Sequence, residues 1–302
     1  MKSRRQPIKP RAVKTANPKS SEKTVRAIYG KLSRDWGPQH WWPAETPFEV
    51  VLGAILTQNT SWTNVERALS NLRQAGVLSV EGIRELSLGE LERLVRSSGY
   101  FRQKAQRLKN FITFLDAKFG GSLDQMFATP TKELRAELLA LKGIGPETAD
   151  SILLYAGHHA IFVVDAYTRR VLERHNAVPA DAKYDEIRTL VEGALQQEEP
   201  LPSVARHKLN LLRPDVHSPS AMSTAPRNPL TQVYGEMHGL FVQLGKHYCH
   251  KQRPKCDECP LGAMLSQPVR PLSPLKAHKQ PPVIHRRASK VQRNRGYNQP
   301  QP

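Results

Sequence analysis

The residues best placed to do chemistry are a glycine-bracketed turn and a single acid. Leu141-Lys142-Gly143-Ile144-Gly145-Pro146-Glu147-Thr148-Ala149-Asp150 sets two glycines one residue apart, and Phe162-Val163-Val164-Asp165 places an aspartate twenty residues after Gly145. Glycine reaches positive φ without steric cost, so Gly143 and Gly145 permit a tight hairpin. The run from Thr148 reads as a helix, whose first amides point outward and can hold a phosphate. The amides around Ile144–Glu147 are the expected grip. Asp165, just past a short apolar run, could then stand over a nucleotide held there. Plainer readings exist for both features. Gly-x-Gly is often an ordinary helix-connecting turn, and Asp165 is well suited to N-cap the helix that begins Ala166-Tyr167-Thr168. One carboxylate can do both jobs.

A second group is Cys249, Cys256 and Cys259, which fall within eleven residues. Clustered cysteines in a chain whose N-terminus lacks an apolar secretory core point to metal chemistry rather than a disulfide framework.

The elements that must position these residues read as helices. Residues 22–34 put Val25, Ile28, Tyr29 and Leu32 on one face, and helical patterns follow at 47–56, 60–74, 81–86, 88–97, 101–118 and 130–141. Residues 147–157 form the helix after the hairpin, residues 166–175 the helix after Asp165, and the pattern resumes at Tyr234–Val242. Only Ile161–Val164 hints at a strand, and it is short. The expected class is all-α. Between 197 and 231, prolines and scattered serines break the periodicity, so a disordered insertion looping off the surface is expected, with a short helix at Ala205–Leu212 as the alternative.

The chain has 302 residues and a formal charge of +18. The excess sits in residues 1–20, 200–231 and 266–302; the remainder is close to balanced. Such tails read either as solubilising disorder or as basic arms that raise non-specific nucleic-acid affinity through counterion release. No apolar run approaches the ~20 residues of a membrane-spanning helix, so the cytoplasm is the expected location, on the nucleoid if the cell is bacterial.

The hairpin together with the spaced aspartate resembles the helix-hairpin-helix (HhH-GPD) DNA glycosylase superfamily, endonuclease III-like enzymes in particular, over roughly residues 24–195 and 232–262. The resemblance implies two helical lobes with the active cleft between them: a six-helix lobe of about 43–158, and a second lobe of 21–42 plus 159–265. It leaves 1–20 and 266–302 as basic disordered tails. It implies a monomer acting on double-stranded DNA with a damaged base, away from membranes. Cleaving an N-glycosidic bond develops oxocarbenium-like charge on the sugar, which a nearby Asp165 carboxylate would stabilise. Gly143, Ile144, Gly145, Glu147 and Thr148 would then be DNA-binding, and Gln58 would fill the gap left by an extruded nucleotide.

Glu147 stands where strand-nicking members have a Schiff-base lysine, which implies hydrolysis by water without a strong lyase step. Gly-Ile-Gly-x-Glu-Thr-Ala-Asp, together with Trp41-Trp42-Pro43, Phe48-Glu49, Leu52-Gly53-Ala54 and Leu56-Thr57-Gln58-Asn59-Thr60, resembles the bacterial 3-methyladenine DNA glycosylases. Trp41, Trp42, Pro43 and Trp62 would wall a pocket for a flipped, cationic alkylated purine, held by cation–π attraction; tryptophans are otherwise core residues. Other readings are an endonuclease III-type glycosylase/lyase for oxidised pyrimidines and a non-catalytic DNA-binding module. Arg102, Lys104, Arg107 and Lys109, with Lys246, Lys251, Arg253 and Lys255, are candidate phosphate contacts. The cysteines match three positions of the family's [4Fe–4S] spacing, but the fourth is Leu265. A labile cluster with His247 or His250 as the extra ligand, a Cys3His zinc site, or a loop without metal all fit that departure.

Overall fold

The computed structural model describes residues 18–265 except 197 and 199–216. Residues 1–17 and 266–302, the core of the insertion, and the alternative helix at Ala205–Leu212 lie outside the described residues. Among the described residues the protein is helical without strands; Ile161–Val164 is buried extended chain.

Helix α1 (Pro18–Trp36) begins inside the expected N-terminal tail and turns Val25, Ile28, Tyr29 and Leu32 inward, as their spacing requires. Helix α2 (Pro47–Leu56) starts at an N-cap threonine, Thr46, which accepts from the Glu49 amide at 3.2 Å, with Pro47 in the first turn. It is buried from Phe48 to Leu56, so it can only be a central helix. Helices α3 (Trp62–Gln74), α4 (Val80–Glu85), α5 (Leu88–Leu94) and α6 (Phe101–Phe119) follow, then α7 (Leu123–Phe127), α8 (Thr131–Ala140) and α9 (Pro146–Ser151). A π-turn, Ile152–Ala156, continues α9. The rest is α10 (Ala166–Arg174), α11 (Tyr184–Leu195), α12 (Ala221–Thr224) and α13 (Pro229–His247).

Contacts sort these helices into two groups. Helix α2 packs on α3, α6 and α9, while α4, α5 and α7 pack on α6, and α8 on α9. Helix α1 packs on α11 and α13, and α13 also holds α10. The π-turn touches both groups, through α2 and through α13. Tyr155, within that turn, is therefore placed where the groups meet.

The stretch expected as a surface insertion is different at its C-terminal end. Residues 217–229 return to the protein and dock on Trp41–Ala44: Met222 N donates to Ala44 O at 3.0 Å, and Ser220 Oγ donates to Trp42 O at 3.3 Å. The prolines that break helical periodicity there do not prevent docking through backbone hydrogen bonds.

Two residues read as phosphate contacts serve the fold instead. Lys104 is buried, and its Nζ donates to Leu56 O at 2.8 Å and to Ser98 O at 2.5 Å, satisfying carbonyls that the end of α2 and the 3₁₀ turn at Arg96–Ser98 leave open. Burial and the neighbouring Arg107 pull its pKa down to about 8, so it remains a charged donor at neutral pH. Lys109 likewise donates to Ile83 O at 2.8 Å and Arg84 O at 3.0 Å, at the end of α4. Replacing Lys104 by Met keeps the stem but leaves two carbonyls unsatisfied, so Lys104→Met should lower the unfolding free energy by about 2–4 kcal/mol. Arg102→Met on the exposed face of α6 should stay within about 0.5 kcal/mol, both read from urea titrations.

Candidate active site

The hairpin forms, but its glycines do different work. Gly143 has φ +90, and a Cβ there would meet Arg107 Nε at 2.3 Å, so both the turn and the packing demand glycine. Gly145 has φ −98 and open space around its missing Cβ; chain geometry does not require it. Ile144 departs from the expected grip: its side chain is buried and its amide donates to Leu141 O at 3.0 Å. Thr148 is also buried. No side chain caps α9; Gly145 O takes the Ala149 amide, and the Glu147 and Thr148 amides have no capping side chain.

Gln58 reaches across to this turn. Its Nε2 donates to Gly143 O at 3.1 Å and to Thr148 Oγ1 at 2.8 Å, and the Arg107 guanidinium donates to its Oε1. Arg107 is thus the one member of its basic cluster that the structure brings to the hairpin; Arg102 lies 3.9 Å from Glu92 instead.

Asp165 is the N-cap of α10, with its Oδ1 accepting from Thr168 N at 2.7 Å. Its Oδ2 lies 3.6 Å from His238 Nε2 on α13, an ion-pair distance longer than a hydrogen bond. His238 Nδ1 is 2.6 Å from the Tyr155 hydroxyl. Burial pushes the Asp165 carboxyl up, but the His238 imidazole and the Thr168 amide outweigh it and hold the group below the ordinary aspartate range. Glu147 is reached by solvent, yet protein packed around its carboxyl, and then the Asp165 carboxylate, push it up to about 7. The two carboxyls of the hairpin region are therefore driven apart in acidity.

From Tyr155 an aromatic cluster continues. Trp42 lies 5.4 Å from Tyr155 and 5.2 Å from Trp62, while Trp41 lies 5.5 Å from Trp42 and 5.8 Å from Trp62, ring centre to ring centre. Trp42 is buried against Gly53, which places it in the floor; Trp41, Pro43 and Trp62 are half-buried. The Lys246 Nζ sits 5.2 Å over the Trp41 ring, so this residue stacks rather than projecting as a phosphate contact. His217, from the docked return segment, lies 5.2 Å from Trp41 on its other contact. A cavity of about 410 Å³ opens beside Trp41, between Gln39, Arg227 and Glu236, but neither Asp165 nor Trp62 lines it.

Sequence reading missed His238, Tyr155 and His217. His238 sits in Tyr234–Val242, whose helical period had marked it only as one polar position in an apolar run.

A profile described as HhH-GPD superfamily base excision DNA repair protein matches residues 52–197. A protein named as a DNA repair glycosylase from Methanocaldococcus jannaschii is 40% identical over 239 residues, covering 78% of this chain and 93% of its own length. The chain belongs to the HhH-GPD superfamily and is a base-excision DNA glycosylase. Endonuclease III of Thermotoga maritima is 25% identical over 213 residues, covering 70% of this chain and 79% of its own. Among solved structures, the H. pylori 3-methyladenine DNA glycosylase bound to 1,N6-ethenoadenine is 30% identical with a TM-score of 0.57, covering 75% of this chain and 97% of its own. An endonuclease III–DNA covalent intermediate shares the fold at 20% identity and a TM-score of 0.60, covering 81% of this chain and 95% of its own.

The glycosylase's cysteine loop closes on itself. Lys255 N donates to Tyr248 O at 2.9 Å and Gly262 N to Cys259 O at 2.8 Å, where a Cβ on Gly262 would strike Cys256 O. Arg170 Nε donates to Cys249 O at 2.6 Å, and Arg174 donates to Cys249 Sγ at 3.0 Å. The three thiols, His175 and Leu265 line one cavity of about 20 Å³. Neither His247 nor His250 lines it. Space for roughly one water is several times too small for a cube of four irons and four sulfides, and the fourth corner carries an alkyl group. Among the described residues no group of three His, Cys, Asp or Glu side chains is arranged to hold a metal ion. The residues present do not fit a four-iron cluster. Protein purified without oxygen should contain under about one iron per chain and no acid-labile sulfide; four of each would overturn that assignment.

Proposed function

We propose that this glycosylase is monofunctional and hydrolyses the N-glycosidic bond of alkylated purines such as 3-methyladenine. The observation that carries the proposal is the pairing of an ionised Asp165 with a glutamate, not a lysine, at position 147. A carboxylate in a mostly protein-lined position stabilises the oxocarbenium-like sugar and orients water to attack it. Glu147 has no amine with which to form a Schiff base, so the reaction ends at the abasic site. The similarity to the H. pylori 3-methyladenine enzyme supports the same substrate class.

In this reading Trp41 and Trp62 receive the extruded base above the buried Trp42, and Gln58 occupies the gap it leaves. The open amides of the α9 first turn take a phosphate. An alkylated purine already carries positive charge and leaves as a neutral base, so no strong general acid is needed. Lys246 must swing off Trp41, or give up its proton, for a cationic base to use that ring; burial already lowers its pKa.

The test is base release from methylated duplex DNA. Asp165→Asn should reduce release by at least about a thousandfold while abasic-site DNA still binds; retained activity would remove Asp165 from the mechanism. Borohydride should trap no covalent complex with the parent protein. Glu147→Lys should begin to trap one, because the amine then stands beside the same sugar.

A further inference from the structure

Asp165 meets charged or titratable groups from every element around it. Glu147 comes from α9, Tyr155 from the π-turn, Tyr167 from its own helix, and His238 and Lys246 from α13. Beyond burial, the Asp165 carboxylate in turn raises the Glu147 carboxyl and the two phenols, which favours their neutral forms. Besides the Thr168 amide on Oδ1, His238 faces the carboxylate with a nitrogen, its Nε2 3.6 Å from Oδ2.

Resting on the proposal that Asp165 is the working carboxylate, we propose that His238, oriented by Tyr155, is the positioning residue that keeps Asp165 ionised and aimed during base release. The tautomer follows from the neighbours. A carboxylate opposite Nε2 requires a proton on that nitrogen. Nδ1 then either accepts the Tyr155 hydroxyl hydrogen, at 2.6 Å, or carries a proton that it donates to the phenol oxygen. The phenol can serve both states by rotation, because Gly235 O, 3.4 Å away, accepts its hydrogen when Nδ1 does not. Tyr155 is wholly buried and stays neutral, so it orients the ring without competing for the proton.

The arrangement depends on the π-turn. Gly157 N donates to Ile152 O at 3.1 Å, and this widened turn carries Tyr155 to the α13 face that presents Gly235 and His238.

The experiment is single-turnover base release from methylated duplex DNA, followed from about pH 2.5 to 8 with enzyme-free release subtracted, for the parent, His238→Gln and Tyr155→Phe. The rate falls as pH drops through the Asp165 pKa, because the protonated acid cannot stabilise the sugar cation. Glutamine can donate a hydrogen bond but no charge, so His238→Gln should move the acid limb upward by about one pH unit and lower the plateau about tenfold. Tyr155→Phe should do the same to a smaller degree, and abasic-site DNA should bind all three proteins equally. Each profile is repeated with Glu147→Gln, since Glu147 titrates near neutrality and would otherwise overlap. An unmoved acid limb in folded variants overturns the role of His238. If Asp165→Asn retains base release, the reading beneath this proposal fails; if that variant is dead and the limb still does not move, only this proposal fails. Should His238→Gln not fold, Tyr155→Phe reads the same limb.

Discussion

An ionised carboxylate with little exposure to water is costly unless charges and donors compensate it. Asp165 satisfies that constraint with one oxygen on the Thr168 amide and the other facing the His238 imidazole. The first compensation fixes where α10 begins. The second fixes how α13 lies against it, because a helix shifted by one residue would turn His238 away. Both depend on Phe162–Val164, which is buried extended chain and delivers Asp165 to the helix start at a single depth. The side chain that caps the helix is thus the one whose acidity the neighbouring helix sets.

From there the structure reads outward as a sequence of contacts. His238 is bound to Tyr155, Tyr155 packs on Trp42, and Trp42 supports Trp41 and Trp62. The acid and the aromatic floor are consequently parts of one packed unit, and their spacing cannot vary independently. The docked segment from His217 onward extends that unit, laying a histidine on Trp41 and tying its backbone to Ala44. The hairpin is secured separately, by Gln58 from the turn after α2 and by Arg107 from α6.

Much of this was legible because local rules and tertiary packing agreed. The cap at Asp165, the apolar run of α2 and the glycine at 143 each announce a structure that the fold then uses. Other features were hidden for physical reasons. Helix α11 was not anticipated at all, although Ile187, Val191, Ala194 and Leu195 form its buried face, because its neighbours were read as the approach to an insertion. Lys104 looked like a phosphate ligand, since a long cationic side chain gives no hint that two backbone carbonyls wait for it in the interior. His238 was invisible because its importance lies in what faces it across seventy residues of chain. No periodicity encodes that. Asp165 was found by its spacing from the hairpin, whereas Gln58 was found by resemblance, and spacing alone would have left it a surface residue.

The exchange of lysine for glutamate at position 147 alters more than the nucleophile. An amine beside Asp165 would form an ion pair and lower the cost of burying it; a second carboxyl raises that cost. Protein packed around the Glu147 carboxyl, and then the Asp165 carboxylate, push it up to about 7, so at neutral pH Glu147 is about half protonated and the pair holds a full proton only at lower pH. Asp165, held by the imidazole and the Thr168 amide, keeps the charge, and Glu147 yields. Such a division leaves one permanent anion, Asp165, and a neighbour that does not add a second full charge beside it.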